Sequence, residues 1–160
     1  MAETRLVLVG GGHAHALVLE ALARRPEPGL EPVVVAKEAR APYSGMLPGF
    51  VAGVYAEEEV HIDLPALAAR AGAAFLHDEA VGLDAEARSL RLASGETLGW
   101  DLLSLDVGIT PDLADIAGAE AHGIAVKPVS RFAPKWAALA EAARTPGAPR
   151  RVAVVGGGAA

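Results

Sequence analysis

Arg5-Leu6-Val7-Leu8-Val9 runs directly into Gly10-Gly11-Gly12. After Arg5 every residue of the run is apolar, as suits a strand buried on both faces. Glycines at its end allow a tight turn and a close approach of the backbone to a ligand. Beyond them Ala14, Leu17, Val18, Ala21 and Leu22 recur at helical spacing and predict a helix over His13–Arg25. Pro26, Pro28 and Gly29 end it. Pro32-Val33-Val34-Val35-Ala36 then reads as a second parallel strand. A β-α-β unit with glycines between its first strand and its helix is how a nucleotide-binding fold begins. A glycine turn with a packing role alone is the other reading of these residues.

The device recurs at Arg151-Val152-Ala153-Val154-Val155, followed by Gly156-Gly157-Gly158-Ala159-Ala160. Two such starts predict two dinucleotides, one passing electrons to the other. No helix follows the second, so the chain is expected to be the N-terminal part of a longer protein, truncated before its second dinucleotide domain.

Between the two starts, residues 41–55 (APYSGMLPGFVAGVY) combine Gly and Pro with apolar and aromatic side chains. Solvent loops are more polar, so this segment is expected to pack on something. His61-Ile62-Asp63-Leu64 leads into a helix over Leu64–Ala71, with Asp63 as N-cap and Pro65 in its first turn. Ala73–Leu76 reads as a third strand. Residues 80–84, 88–93 and 97–105 read as a β-meander, turning around Asp84-Ala85-Glu86 and Ser94-Gly95-Glu96. It leads into an apolar run, Leu102–Val107, expected to be buried. Residues 112–130 read as loop, Phe132–Ala143 as helix and residues 145–149 as linker.

At 160 residues the chain can hold one ordinary domain. A net charge of −6 gives no electrostatic footprint for nucleic acid. The absence of cysteine excludes a disulfide, a Cys-ligated zinc site and a redox dithiol within these residues. No run approaches the roughly 20 apolar residues of a membrane span. No secretory signal is read at the start, and a cytoplasmic location is the expectation.

In a glycine loop of this kind the first Gly makes the turn and the second lets the backbone meet a pyrophosphate. The third, Gly or Ala, keeps helix and strand close. Gly10 and Gly12 fill the first two places, and His15 stands in the third as a tolerated substitute. An acidic residue that could meet ribose hydroxyls is Glu38, just beyond the second strand. A solvated loop charge is its alternative reading. Lys37 and Arg40 could instead pair with the 2′-phosphate of NADP. His13 and His15 are two apart, share no helix face and have no Cys or carboxylate beside them, so no metal site is expected. His13 reads as a polar neighbour of the phosphates. His61 and Asp63 read as structural, and no base–nucleophile pair stands near Tyr43 or Met46.

The stretches 7–15 (VLVGGGHAH), 42–49 (PYSGMLPG), 61–64 (HIDL), 100–106 (WDLLSLD) and 107–111 (VGITP) together resemble the FAD-dependent pyridine nucleotide-disulfide oxidoreductases. The branch most similar is found alone or fused ahead of selenide, water dikinase. Type II NADH dehydrogenases and sulfide:quinone reductases are more distant. The resemblance implies a three-layer α/β, Rossmann-like FAD domain with a parallel sheet and a β-meander. It further implies an NAD(P)H domain inserted between two sequence halves. Residues 1–112 would be the N-terminal half of the FAD domain, 113–150 a connecting segment, and 151–160 the first strand and glycine loop of the NAD(P)H domain. Gly10, Gly12, His13 and Ala14 would lie at the FAD pyrophosphate. Glu38, or the backbone of Lys37, would meet the ribose. Ser44, Gly45 and Met46 would approach the flavin, and Val81 would flank adenine. Asp106, Gly108 and Thr110 would close over the FAD, and Gly156 and Gly158 would start the NAD(P)H loop. The implied activity is hydride transfer from NAD(P)H to FAD and on to a small-molecule or quinone-like acceptor. Two other functions suit the residues: a single-cofactor NADP-dependent reductase, and a nucleotide-sensing module without turnover.

Overall fold

The computed structural model describes residues 3–109, 113, 115–147 and 151–156. The chain divides into two compact units, Met1–Ala41 with His61–Gly108, and Pro42–Val60 with Ile109–Ala160.

The first unit is built on β1 (Thr4–Val9), α1 (His13–Arg24) and β2 (Leu30–Val35). A short strand, β3 (Arg40–Pro42), pairs with β4 (His61–Asp63). There follow α3 (Leu64–Arg70; α2, Leu47–Val51, lies in the second unit), β5 (Ala74–Leu76), β6 (Ala80–Asp84), β7 (Ser89–Leu92), β8 (Thr97–Gly99) and β9 (Leu102–Leu105). Four strands form one parallel sheet in the order β5-β2-β1-β9. Strands β6, β7 and β8 form the antiparallel meander.

Alternation along β1 and β2 makes three layers. Leu8 and Val34 face one way and pack with Leu19 of α1 and Ala68 of α3. Val7, Val9, Val33 and Val35 face the other way and pack with Leu90 and Leu92 of the meander. Side chains on a pleated strand alternate between faces, so an unbroken apolar run is what a sheet covered on both sides requires. At the entry end Arg5 and Glu31 are register partners and form an ion pair at 3.0 Å.

Three expectations for this unit are corrected. The helix after the glycines forms, but its buried face is His15, Ala16 and Leu19, while Leu17 and Val18 are exposed. The tight turn sets the phase of α1 against the sheet, and apolar count does not. The run 97–105 is not one meander strand: it breaks at Trp100-Asp101, and its second half joins the parallel sheet beside β1. Nor is Leu102–Val107 buried, since Leu102 and Leu105 are more than half exposed. β9 is an edge strand of the described sheet and covers only some of its side chains.

The second unit contains a 3-10 turn (Ser44–Met46), α2 (Leu47–Val51), α4 (Ala119–His122) and α5 (Val129–Ala142). Leu47, Phe50 and Val51 pack with Val129, Phe132 and Trp136. The apolar 41–55 segment does therefore pack, against α5. That helix begins at Val129, before the expected Phe132, and α4 interrupts the expected loop. Residues 151–155 were expected as a strand, yet 151–156 belong to no sheet, and Val154 and Val155 are about nine-tenths exposed. A parallel strand exists only through hydrogen bonds to a neighbour, and no described strand supplies them.

Candidate functional site

The glycine loop leaves the C-terminal end of β1, and residues 106–108 leave the C-terminal end of β9 beside it. β1 has β2 on one side and β9 on the other, so chain order reverses at this point. In parallel α/β sheets, ligands bind in the crevice at such a reversal, outside the carboxyl ends of the strands.

The loop is pinned through its backbone. Gly10 N–H donates to the Val35 carbonyl at 2.8 Å, and Gly12 N–H to the Asp106 carbonyl at 3.2 Å. Gly10 has φ +97°, and a Cβ there would run into the Asp106 carbonyl. A Cβ on Gly12 would fall on the Asp106 carboxylate. Both positions need glycine because the backbone and carboxylate of Asp106, just beyond β9, occupy the space of a side chain. Such a cradle of backbone at the start of α1, with the helix dipole behind it, fits a dinucleotide pyrophosphate.

His15 sits beneath this loop and is 1% exposed. Its Nδ1 lies 2.9 Å from the Gly10 carbonyl and its Nε2 2.8 Å from Ser104 Oγ. A carbonyl can only accept, so Nδ1 carries the hydrogen, and in the neutral ring Nε2 accepts from the Ser104 hydroxyl. His15 is thus not a tolerated substitute in a place meant for a small residue. It is a buried strut between the glycine turn and β9, with room made by a serine on the strand. Its own backbone N–H donates to Asp106 Oδ2 at 3.2 Å. Sequence reasoning left Ser104 out. The signal was a hydroxyl in an apolar strand paired with an imidazole in a glycine's place.

The structure brings Gly10, Gly12 and Asp106 together, with His13 and Ala14 exposed in the first turn of α1 and Gly108 exposed beyond β9. Lys37 Nζ forms an ion pair with Glu79 at 3.2 Å, and the Lys37 carbonyl lies 3.1 Å from His77 Nε2. Glu38 is exposed three residues past β2, and Val81 is half-exposed on β6. Ser44, Gly45 and Met46 form the 3-10 turn of the second unit, to which Gly156, with φ +111°, also belongs. Thr110 and Gly158 lie outside the described residues. Asp63 caps α3 through Oδ1, which accepts from Ala66 N–H at 2.9 Å. Among the described residues no cluster of three His, Asp or Glu could hold a metal ion, and no helix is long and apolar enough to cross a membrane.

Among solved structures, the sulfide:quinone oxidoreductase of Aquifex aeolicus superposes with a TM-score of 0.73 at 19% identity, over 89% of this chain and 33% of that one. The ferredoxin reductase for the CYP199A2 system of Rhodopseudomonas palustris gives 0.61 at 23% identity, over 73% and 29%. The water-forming NADH oxidase of Lactobacillus brevis, bound to NADH, gives 0.54 at 17% identity, over 69% and 27%. The chain spans about a third of the length of these proteins, and at such identities the likeness concerns the fold. No curated relative matches in sequence. The sequence profile of the pyridine nucleotide-disulphide oxidoreductases matches residues 4–160, nearly the whole chain, and this match supports FAD and NAD(P)H as the cofactors. A glycine cradle at the sheet's reversal, three layers around it and that match lead to one assignment: the chain belongs to the pyridine nucleotide-disulphide oxidoreductase family.

Proposed function

We propose that this chain supplies the FAD-binding part of a flavoprotein oxidoreductase that draws electrons from NAD(P)H and delivers them to a quinone-like or other small acceptor. The observation that carries this reading is the cradle at Gly10 and Gly12, closed from beneath by Asp106 at the end of β9. FAD, when bound, supplies the chemistry: it takes a hydride from NAD(P)H and passes the electrons on.

The chain's own residues bind and orient. The loop and the first turn of α1, with His13 and Ala14, would receive the pyrophosphate. Glu38 or the Lys37 backbone would meet the adenosine ribose, and Val81 the adenine. Ser44, Gly45 and Met46 would lie toward the flavin, and Gly108 and Thr110 over the cofactor. Residues 1–112 would form the first half of the FAD domain and 113–150 the connection. Residues 151–160, with Gly156 and Gly158, would open the NAD(P)H domain. The quinone-like acceptor is supported by the likeness to a sulfide:quinone oxidoreductase. The ion pair of Lys37 with Glu79 weighs against the NADP-only reading, because the cation offered to a 2′-phosphate already faces a carboxylate.

The test is the visible absorption spectrum of the full-length protein after incubation with FAD and gel filtration. Retained flavin bands, bleached by NADH or NADPH under anaerobic conditions, are the expected result. A protein that stays colourless with excess FAD overturns the reading and favours the NADP-dependent reductase or the sensing module.

A further inference from the structure

We infer that the Asp106 carboxylate is a built-in competitor for the end of α1 that receives a dinucleotide's pyrophosphate, and that it lowers the affinity of this loop for FAD. The inference rests on the reading that a pyrophosphate comes to this loop.

The first N–H groups of a helix have no partner within it, and their partial positive charge attracts an anion. α1 provides none for itself: its N-cap is Gly12, which has no side chain, and its first turn holds no acidic residue. The anion comes instead from β9. Asp106 Oδ2 accepts from His15 N–H at 3.2 Å, and the carboxylate lies where a Cβ of Gly12 would be. The same residue accepts from Gly12 N–H through its carbonyl and donates its own N–H to Val9 at 2.8 Å, so its backbone is fixed. The hydrogen bond that the carboxylate accepts from His15 is long, and the residue is partly buried. A pyrophosphate brought to this turn meets a like charge at its base. Two unit charges about 4 Å apart repel weakly in water and several times more strongly near a protein surface. The cofactor therefore binds against a standing repulsion, or displaces the carboxylate from His15. Either way its hold is weaker than the cradle alone would give.

The test compares the full-length wild-type protein with Asp106→Asn in two measurements: FAD affinity by equilibrium fluorescence titration, and thermal unfolding without FAD. The variant is expected to bind FAD about tenfold more tightly, the size of effect that removing one nearby like charge produces. It is also expected to unfold at a lower temperature without FAD, because a neutral oxygen caps an N–H less well than a carboxylate. Opposite signs are the signature. Weaker binding together with lower stability would make Asp106 a mere strut and overturn the inference, as would unchanged affinity. Asp106→Ser keeps an acceptor without the charge, and it replaces Asp106→Asn if that protein does not fold. Failure of the wild type and both variants to bind any FAD would instead sink the flavoprotein reading, and this inference with it.

Discussion

His15 and Ser104 are joined by a hydrogen bond of 2.8 Å between Nε2 and Oγ, and the other ring nitrogen of His15 lies 2.9 Å from the Gly10 carbonyl. The imidazole therefore links the edge strand β9 to the glycine turn. Ser104→Ala should leave a buried ring nitrogen without its partner and cost about 1–3 kcal/mol of stability. In a His15→Ala background the same change should cost little. Urea unfolding of the four proteins of this cycle reads the coupling directly. Additive losses would mean that the two side chains do not act as a pair.

Gly10→Ala should be far more damaging than its size suggests. The backbone there is left-handed, and the added methyl would meet the Asp106 carbonyl. Strain at positive φ and overpacking together come to about 2–5 kcal/mol. The expected outcome in chemical denaturation is a large loss of stability, with loss of FAD retention. Gly29→Ala is the internal comparison: its φ is +81° and nothing lies near its Cβ position, so only the backbone term remains.

Asp63→Ala removes the acceptor for Ala66 N–H at the start of α3. The loss should be about 1 kcal/mol, the usual value of an N-cap. Asp63→Asn should recover most of it, since the amide oxygen can still accept. Identical loss in both variants would mean that the charge, not the cap, is what matters.

Asp78 gives one pH dependence. The Ser94 hydroxyl, followed by the Glu79 backbone N–H, holds its carboxyl below the ordinary value. A folded pKa below the unfolded one stabilises the fold above the ordinary carboxylate range. That contribution is lost as pH falls through the ordinary value toward the lowered one. Asp78→Asn should therefore be less stable than wild type at neutral pH, with the gap closing on acidification. Melting temperatures taken from neutral to acidic pH check the sign.

Much of the fold could be read locally. The apolar run of β1, the glycines and the prolines after α1 identify a β-α-β start. Asp63 and Pro65 mark where α3 begins. The turns around residues 84–86 and 94–96 set out the meander. These are short-range signals, because strand alternation, helix capping and turn geometry depend on a few neighbours along the chain. The phase of α1 is not set by such local signals. Leu17 and Val18 are apolar by type, yet they are exposed, because the helix face is chosen by how the glycine turn sets it on the sheet.

By itself, then, the sequence determined a β-α-β start with a glycine turn, an α3 with its own cap and a meander. Tertiary structure alone decided the rest. It took β9 out of the meander and laid it beside β1, which put Asp106 under Gly10 and Gly12 and Ser104 against His15. Those partners stand some ninety residues apart in the chain. No local pattern encodes such a meeting. It exists only because parallel strands must find neighbours to satisfy their backbone hydrogen bonds, and the neighbour that β1 found brought a carboxylate and a hydroxyl with it.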